Sequence, residues 1–133
     1  MEPRTKHFKK REAILNCLRA TNTHPSAEWV HGQLRTEFPD ISLGTVYRNL
    51  AMFKEQGIIT SIGTVGGIER FDANTEPHVH FICNGCHRVD DLPEMEIPAS
   101  LCSTANRCSG GQAEICHLSF TGTCRECLTK LEG

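Results

Sequence analysis

The run from His78 to Asp91, HVHFICNGCHRVDD, holds three histidines, two cysteines and two aspartates within fourteen residues. Two metal chemistries overlap in it. The soft thiolates of Cys83 and Cys86 suit zinc, whereas mixed imidazole and carboxylate donors suit iron, manganese or zinc with room for ligand exchange. Each set must find its remaining ligands elsewhere. A second Cys-x-x-Cys knuckle, Cys124 and Cys127, starts 38 positions after Cys86. Two such turns complete a tetrahedral site, and four thiolates leave no open position for a substrate, so zinc there is expected to be structural. A redox-active Cys-x-x-Cys is the competing reading. It favours a thioredoxin-like βαβ setting, which this sequence does not offer. His78 and His80, at i and i+2 on a strand, project from one face. Asp91 lies where the chain could return beside that strand, and Asp72 closes the preceding segment. Taken singly, each is equally a turn aspartate or a half-exposed strand histidine.

The elements that must position these groups come in two halves. Residues 1–71 carry ten Lys/Arg against seven Asp/Glu, and residues 72–133 carry four against nine. A net +3 half joined to a net −5 half is expected to be a mild anion binder attached to something else. From Phe8 to Ala20, helical spacing places Phe8, Ile14, Leu15 and Leu18 on one face, with Lys9, Lys10 and Arg11 outward. Thr21 to Pro25 breaks that pattern. Ser26 then caps a second helix with an apolar stripe of Trp29, Val30, Leu34 and Phe38, ending near Pro39. Ser42 caps a third, with Val46, Leu50 and Phe53 buried and Gly57 as its stop. Ile58 to Phe71 is β-branched and turns at Gly63, Gly66 and Gly67, the pattern of a hairpin.

Three helices and a hairpin follow the order of a winged helix-turn-helix, whose last helix enters the major groove. The exposed side of that helix would carry Thr45, Tyr47, Arg48 and Asn49, with Lys54 near its end. Arg and Asn can pair with base edges, while Tyr and Thr reach phosphates or thymine methyls. An ordinary helical domain with a solvated face fits the pattern about as well. In the second half, Val79 to Ile82 and Glu114 to Thr121 read as strands. A short or irregular helix is expected around Ala99 to Cys108, and a domain boundary near Phe71 to Pro77. The fold class is thus α+β. No apolar run approaches the ~20 residues that span a bilayer, and no secretory h-region follows the basic N-terminus, so a cytoplasmic location is expected.

The segments HPSAEWV, ISLGTVYRNL, GIERFD, HVHFICNGC and CREC stand in the order and spacing seen in the ferric uptake regulator (Fur) superfamily, which this chain resembles from about Lys10 to Cys127. The resemblance implies a homodimeric winged-helix repressor that binds a double-stranded DNA operator. Its domains would be 1–71 for DNA binding, 72–77 as hinge and 78–133 for dimerisation, with structural zinc on Cys83, Cys86, Cys124 and Cys127. It also supplies His24, otherwise a loop histidine beside Pro25. The implied regulatory site is His24, Asp72, His78, His80 and Asp91, suited to Fe2+ or Mn2+. Ser42, Thr45, Tyr47, Arg48, Asn49 and Arg11 are the implied DNA contacts.

Within the superfamily, iron-uptake regulators usually place a glutamate where this chain has Asp91, and peroxide-sensing, PerR-like members place an aspartate. Pro77 and Val79 stand where many iron-uptake members have further ligands. The resemblance therefore implies iron-catalysed oxidation of His24 or His78 by hydrogen peroxide, a single-use reaction rather than enzyme turnover. A repressor sensing iron, manganese or zinc supply is the alternative. A zinc hydrolase or deaminase is a third reading, but no H-x-E is paired with P-C-x-x-C and there is no H-E-x-x-H. Two departures stand out: HFKKR replaces the usual Thr-Pro-Gln-Arg segment, with only Arg11 matching, and the stretch between Asp91 and Glu114 is unusual in holding Cys102 and Cys108, with Cys116 just beyond.

Overall fold

A computed structural model describes residues 3–132, with side chains described for residues 8–131. Met1, Glu2 and Gly133, which fall within the expected domains, lie outside the described residues, as does the side chain of His7. Two compact units form, Met1–Thr75 and Glu76–Gly133. The first contains α1 (Pro3–Arg19), α2 (Ala27–Leu34), α3 (Leu43–Glu55), β1 (Thr60–Val65) and β2 (Ile68–Asp72). The second contains β3 (Val79–Cys83), β4 (Val89–Asp91), α4 (Ala99–Ser109), β5 (Leu118–Gly122) and α5 (Arg125–Glu132).

In the first unit, Ile14 and Leu18 of α1, Val30 and Leu34 of α2, and Val46, Leu50 and Phe53 of α3 meet in one core with Ile41, Ile59 and Phe71. Burying each such side chain contributes about 1.5–3 kcal/mol before its conformational entropy is charged. Ser26 caps α2 by accepting from the Trp29 N–H, and Ser42 caps α3 by accepting from the Thr45 N–H. Each side chain satisfies one of the N–H groups a helix start leaves unpaired. β1 and β2 form an antiparallel hairpin in which Gly66 and Gly67 both hold positive φ, the backbone of a tight turn. Gly63, expected as a turn point, instead sits where the register shifts. Three helices and this hairpin make the winged-helix arrangement.

Two residues of the expected core face are not in it. Trp29 is 40% exposed and Phe8 is 55% exposed. The apolar stripe is therefore narrower than the sequence suggested. α1 also begins earlier than Phe8, and α2 ends at Leu34, leaving Phe38 just past the turn that follows it.

The second unit is built on a three-stranded sheet ordered β4-β3-β5, with β4 antiparallel and β5 parallel to β3. Val79 and Cys83 of β3 are fully buried. The helix expected over Ala99–Cys108 is a regular one that ends on Gly110 in the left-handed region. The last strand is shorter than Glu114 to Thr121, because residues 111–117 are irregular. β4 and α5 were not expected as elements.

Candidate functional site

The four knuckle cysteines converge. Cys83 Sγ lies 3.7 Å from Cys127 Sγ and Cys86 Sγ lies 3.8 Å from Cys124 Sγ, and all four sulfurs fall within 4.8 Å of one another. A tetrahedron with Zn–S bonds of about 2.3 Å has sulfur–sulfur edges of about 3.8 Å, so the donor set fits zinc. The first knuckle forms the turn between β3 and β4, and the second sits at the start of α5. Cys83 N–H donates to the Arg88 carbonyl and His87 N–H to the Cys83 carbonyl, both at 2.9 Å, which closes the turn. His87 takes a φ of 63° there, a backbone that side chains other than glycine adopt rarely.

Three backbone N–H groups, from Gly85, Cys86 and Cys124, point at the buried Cys83 sulfur. Those from Cys86 and Cys124, then Gly85, outweigh burial and bring the Cys83 thiol down to about 6. Cys127 is pushed up to about 12, first by its hydrogen bond with Cys124 and then by that with Cys83. Four sulfurs at this spacing cannot all ionise unaided; a divalent cation would supply the missing charge. A Cβ on Gly85 would stand 3.1 Å from Cys127 Sγ, so the knuckle has little room there.

The imidazole and carboxylate donors fall into two groups, one in each unit. In the second unit, Asp91 on β4 is the direct cross-strand partner of His80 on β3. Its Oδ1 lies 3.2 Å from His78 Nε2 and 3.4 Å from His80 Nε2. His78 stands one residue before β3 rather than within it, yet its ring meets that of His80 edge-on, with centroids 4.3 Å apart. At 2.6 Å, the Glu76 carbonyl accepts from His78 Nδ1, which orients the ring with Nε2 toward Asp91.

In the first unit, His24 and Asp72 are both buried, with His24 Nε2 3.2 Å from Asp72 Oδ2. Asp72 ends β2, and its other oxygen accepts the Asn74 N–H at 2.8 Å, so the carboxylate is fixed in orientation. His24 sits in the α1–α2 loop at a φ of 57°. Each group by itself mixes imidazole and carboxylate donors, a chemistry of the kind that takes iron, manganese or zinc.

On α3, Tyr47 and Arg48 are exposed, as is Ser42 at its cap, while Thr45 and Asn49 are half-buried. Tyr47 donates to Glu28 on α2 at 2.8 Å, Arg48 to Thr45 Oγ1 at 3.1 Å, and the Asn49 amide to the Thr45 carbonyl at 2.9 Å. Arg11 is exposed on α1 and Lys54 is exposed near the end of α3. Nothing in the spacing of residues pointed to the Glu28 contact, which joins α2 and α3 through residues 19 positions apart. Cys102, Cys108 and Cys116 join no group of three or more metal-ligating side chains among the described residues. No helix is long and apolar enough to cross a membrane among the described residues.

Residues 2–117 match the model of the ferric uptake regulator family. The chain is 33% identical over 123 residues to the peroxide-responsive repressor PerR of Staphylococcus aureus (strain USA300), covering 91% of this chain and 81% of that one. Among solved structures it is similar to the Vibrio cholerae ferric uptake regulator, with TM-score 0.67 and 28% identity over 86% of this chain and 88% of that one. The Campylobacter jejuni peroxide stress regulator shares the fold, with TM-score 0.78 and 24% identity over 96% of this chain and 100% of that one.

Proposed function

Since this chain belongs to the ferric uptake regulator family of metal-responsive transcriptional regulators, we propose that it is a homodimeric, cytoplasmic repressor that senses hydrogen peroxide through a metal-ligand histidine. The observation that carries this reading is the carboxylate of Asp91, set between the Nε2 atoms of His78 and His80. On this reading His24 and Asp72 from the first unit join His78, His80 and Asp91 around one Fe2+ or Mn2+, and the four cysteines hold a structural Zn2+. Residues 1–71 read DNA, 72–77 act as hinge, and 78–133 dimerise.

Each part has a physical role. α3 enters the major groove with Thr45, Tyr47, Arg48 and Asn49, while Ser42 and Arg11 meet the backbone. β5 lies at the edge of its sheet with Phe120 exposed, and Leu128 and Leu131 on α5 are exposed too, so apolar surface and an open strand edge are available to a second copy. A regulatory ion with ligands from both units favours the arrangement that holds them together, and through it the spacing of two α3 helices on two half-sites.

Bound ferrous iron would lend one electron to split the peroxide O–O bond and regain it from the ring, so the net two electrons come from the imidazole. The chain supplies the imidazole: one ring carbon of His24 or His78 exchanges its C–H for C–O, and the second peroxide oxygen leaves as water. The oxidised ring is a poorer donor, so the ion leaves and operator binding falls. The test loads the protein with Fe2+ or Mn2+, adds stoichiometric hydrogen peroxide and measures operator binding. Loss of binding in the iron form alone supports the proposal. Undiminished binding in both forms transfers support to a sensor of iron, manganese or zinc supply.

A further inference from the structure

We propose that Arg70 is a positioning residue for the regulatory site, pinning the His24 loop to the wing so that the imidazole is pre-set as a ligand. His24 lies in a loop that has no secondary structure of its own and takes a left-handed backbone that L residues adopt rarely. Something must hold it there. Arg70 Nε donates to the His24 carbonyl, and an Arg70 terminal nitrogen donates to the Thr23 carbonyl at 2.7 Å. The next residue along β2 adds a third link, because Phe71 N–H donates to the Pro25 carbonyl at 3.0 Å. Three successive loop carbonyls are thus tied to two successive wing residues. A guanidinium can do this because its donors lie in one rigid plane, where a lysine offers a single point charge.

Arg70 and Asp72 are two apart on β2. The same strand therefore carries the clamp on the His24 backbone and the carboxylate that faces the His24 ring. The wing also contacts α3 through Lys54 and Glu69, at 3.4 Å. Any tightening at His24 and Asp72 is consequently felt by the wing that flanks the recognition helix. Side chains that only orient metal ligands typically change metal affinity 10–100-fold when removed.

This inference rests on the proposed metal site, so its test compares Arg70→Gln and Arg70→Lys with His24→Ala. Amide hydrogen exchange of Phe71 in the regulatory-metal-free protein reads the clamp itself, and Mn2+ titration reads its consequence. Arg70→Gln is expected to speed Phe71 exchange and to weaken Mn2+ about tenfold or more, with Arg70→Lys between it and the parent. Zinc content and the far-UV circular dichroism spectrum should stay at parental values, which a general loss of folding would not allow. Unchanged Phe71 exchange, or unchanged Mn2+ affinity with His24→Ala weakened, overturns the role of Arg70. If His24→Ala binds Mn2+ as the parent does, the metal site itself is wrong, and the role of Arg70 falls with it.

Discussion

Asp91 is a short carboxylate shared between two imidazoles, and its length is what the peroxide reading turns on. A glutamate adds one methylene and carries the oxygens beyond the point 3.2 and 3.4 Å from the two Nε2 atoms. Asp91→Glu is therefore expected to bind Mn2+ and DNA but to lose at least tenfold in its rate of peroxide inactivation, measured as decay of operator binding in the iron form. An undiminished rate would detach peroxide sensing from this side chain. The cysteine cluster makes a separate prediction. With Cys83 near 6 and Cys127 near 12, the metal-free cluster at pH 7 holds at least the Cys127 proton, so zinc uptake must release it. Affinity for zinc should rise with pH across neutrality, and calorimetry in buffers of different ionisation enthalpy should show net proton release. Gly85→Ala crowds Cys127 Sγ and should weaken zinc retention against a chelator, without any change in the ligands.

At the scale of elements, the sequence was most legible where a side chain announces its own geometry. Ser26 and Ser42 marked both helix starts because a hydroxyl accepting an N–H three residues on is a local event. Removing the first cap, Ser26→Ala, should lower stability by about 1 kcal/mol in urea titration, and no loss would mean that α2 is held by packing alone. The buried face of α3 was equally plain, from the spacing of Val46, Leu50 and Phe53. β4 was not, because three residues are too few to show alternation and the strand exists only by pairing with β3. α5 escaped notice because its apolar residues, Leu128 and Leu131, are exposed in the isolated chain. Trp29 misled for the opposite reason: it has helical spacing with the core, yet lies at the rim of the stripe. His24 could be reached only by resemblance, since its backbone is fixed by Arg70, 46 positions away.

Over the whole molecule, the net +3 of residues 1–71 and the net −5 of residues 72–133 fall on a chain that forms two compact units. If regulatory metal strengthens operator binding, linkage requires operator DNA to strengthen metal binding by the same factor. Mn2+ titrations with and without operator should show this, and equal affinities would disconnect the ion from DNA. Operator affinity should also fall steeply with salt, through the phosphate contacts of the basic half. On the proposed reading, peroxide is recorded on a ligand histidine. Peptide mass analysis after stoichiometric peroxide tests it most directly. One added oxygen on the peptide carrying His24 or the one carrying His78, in the iron form and not in the manganese form, is the predicted result; iron-loaded protein with both histidines unmodified would contradict it.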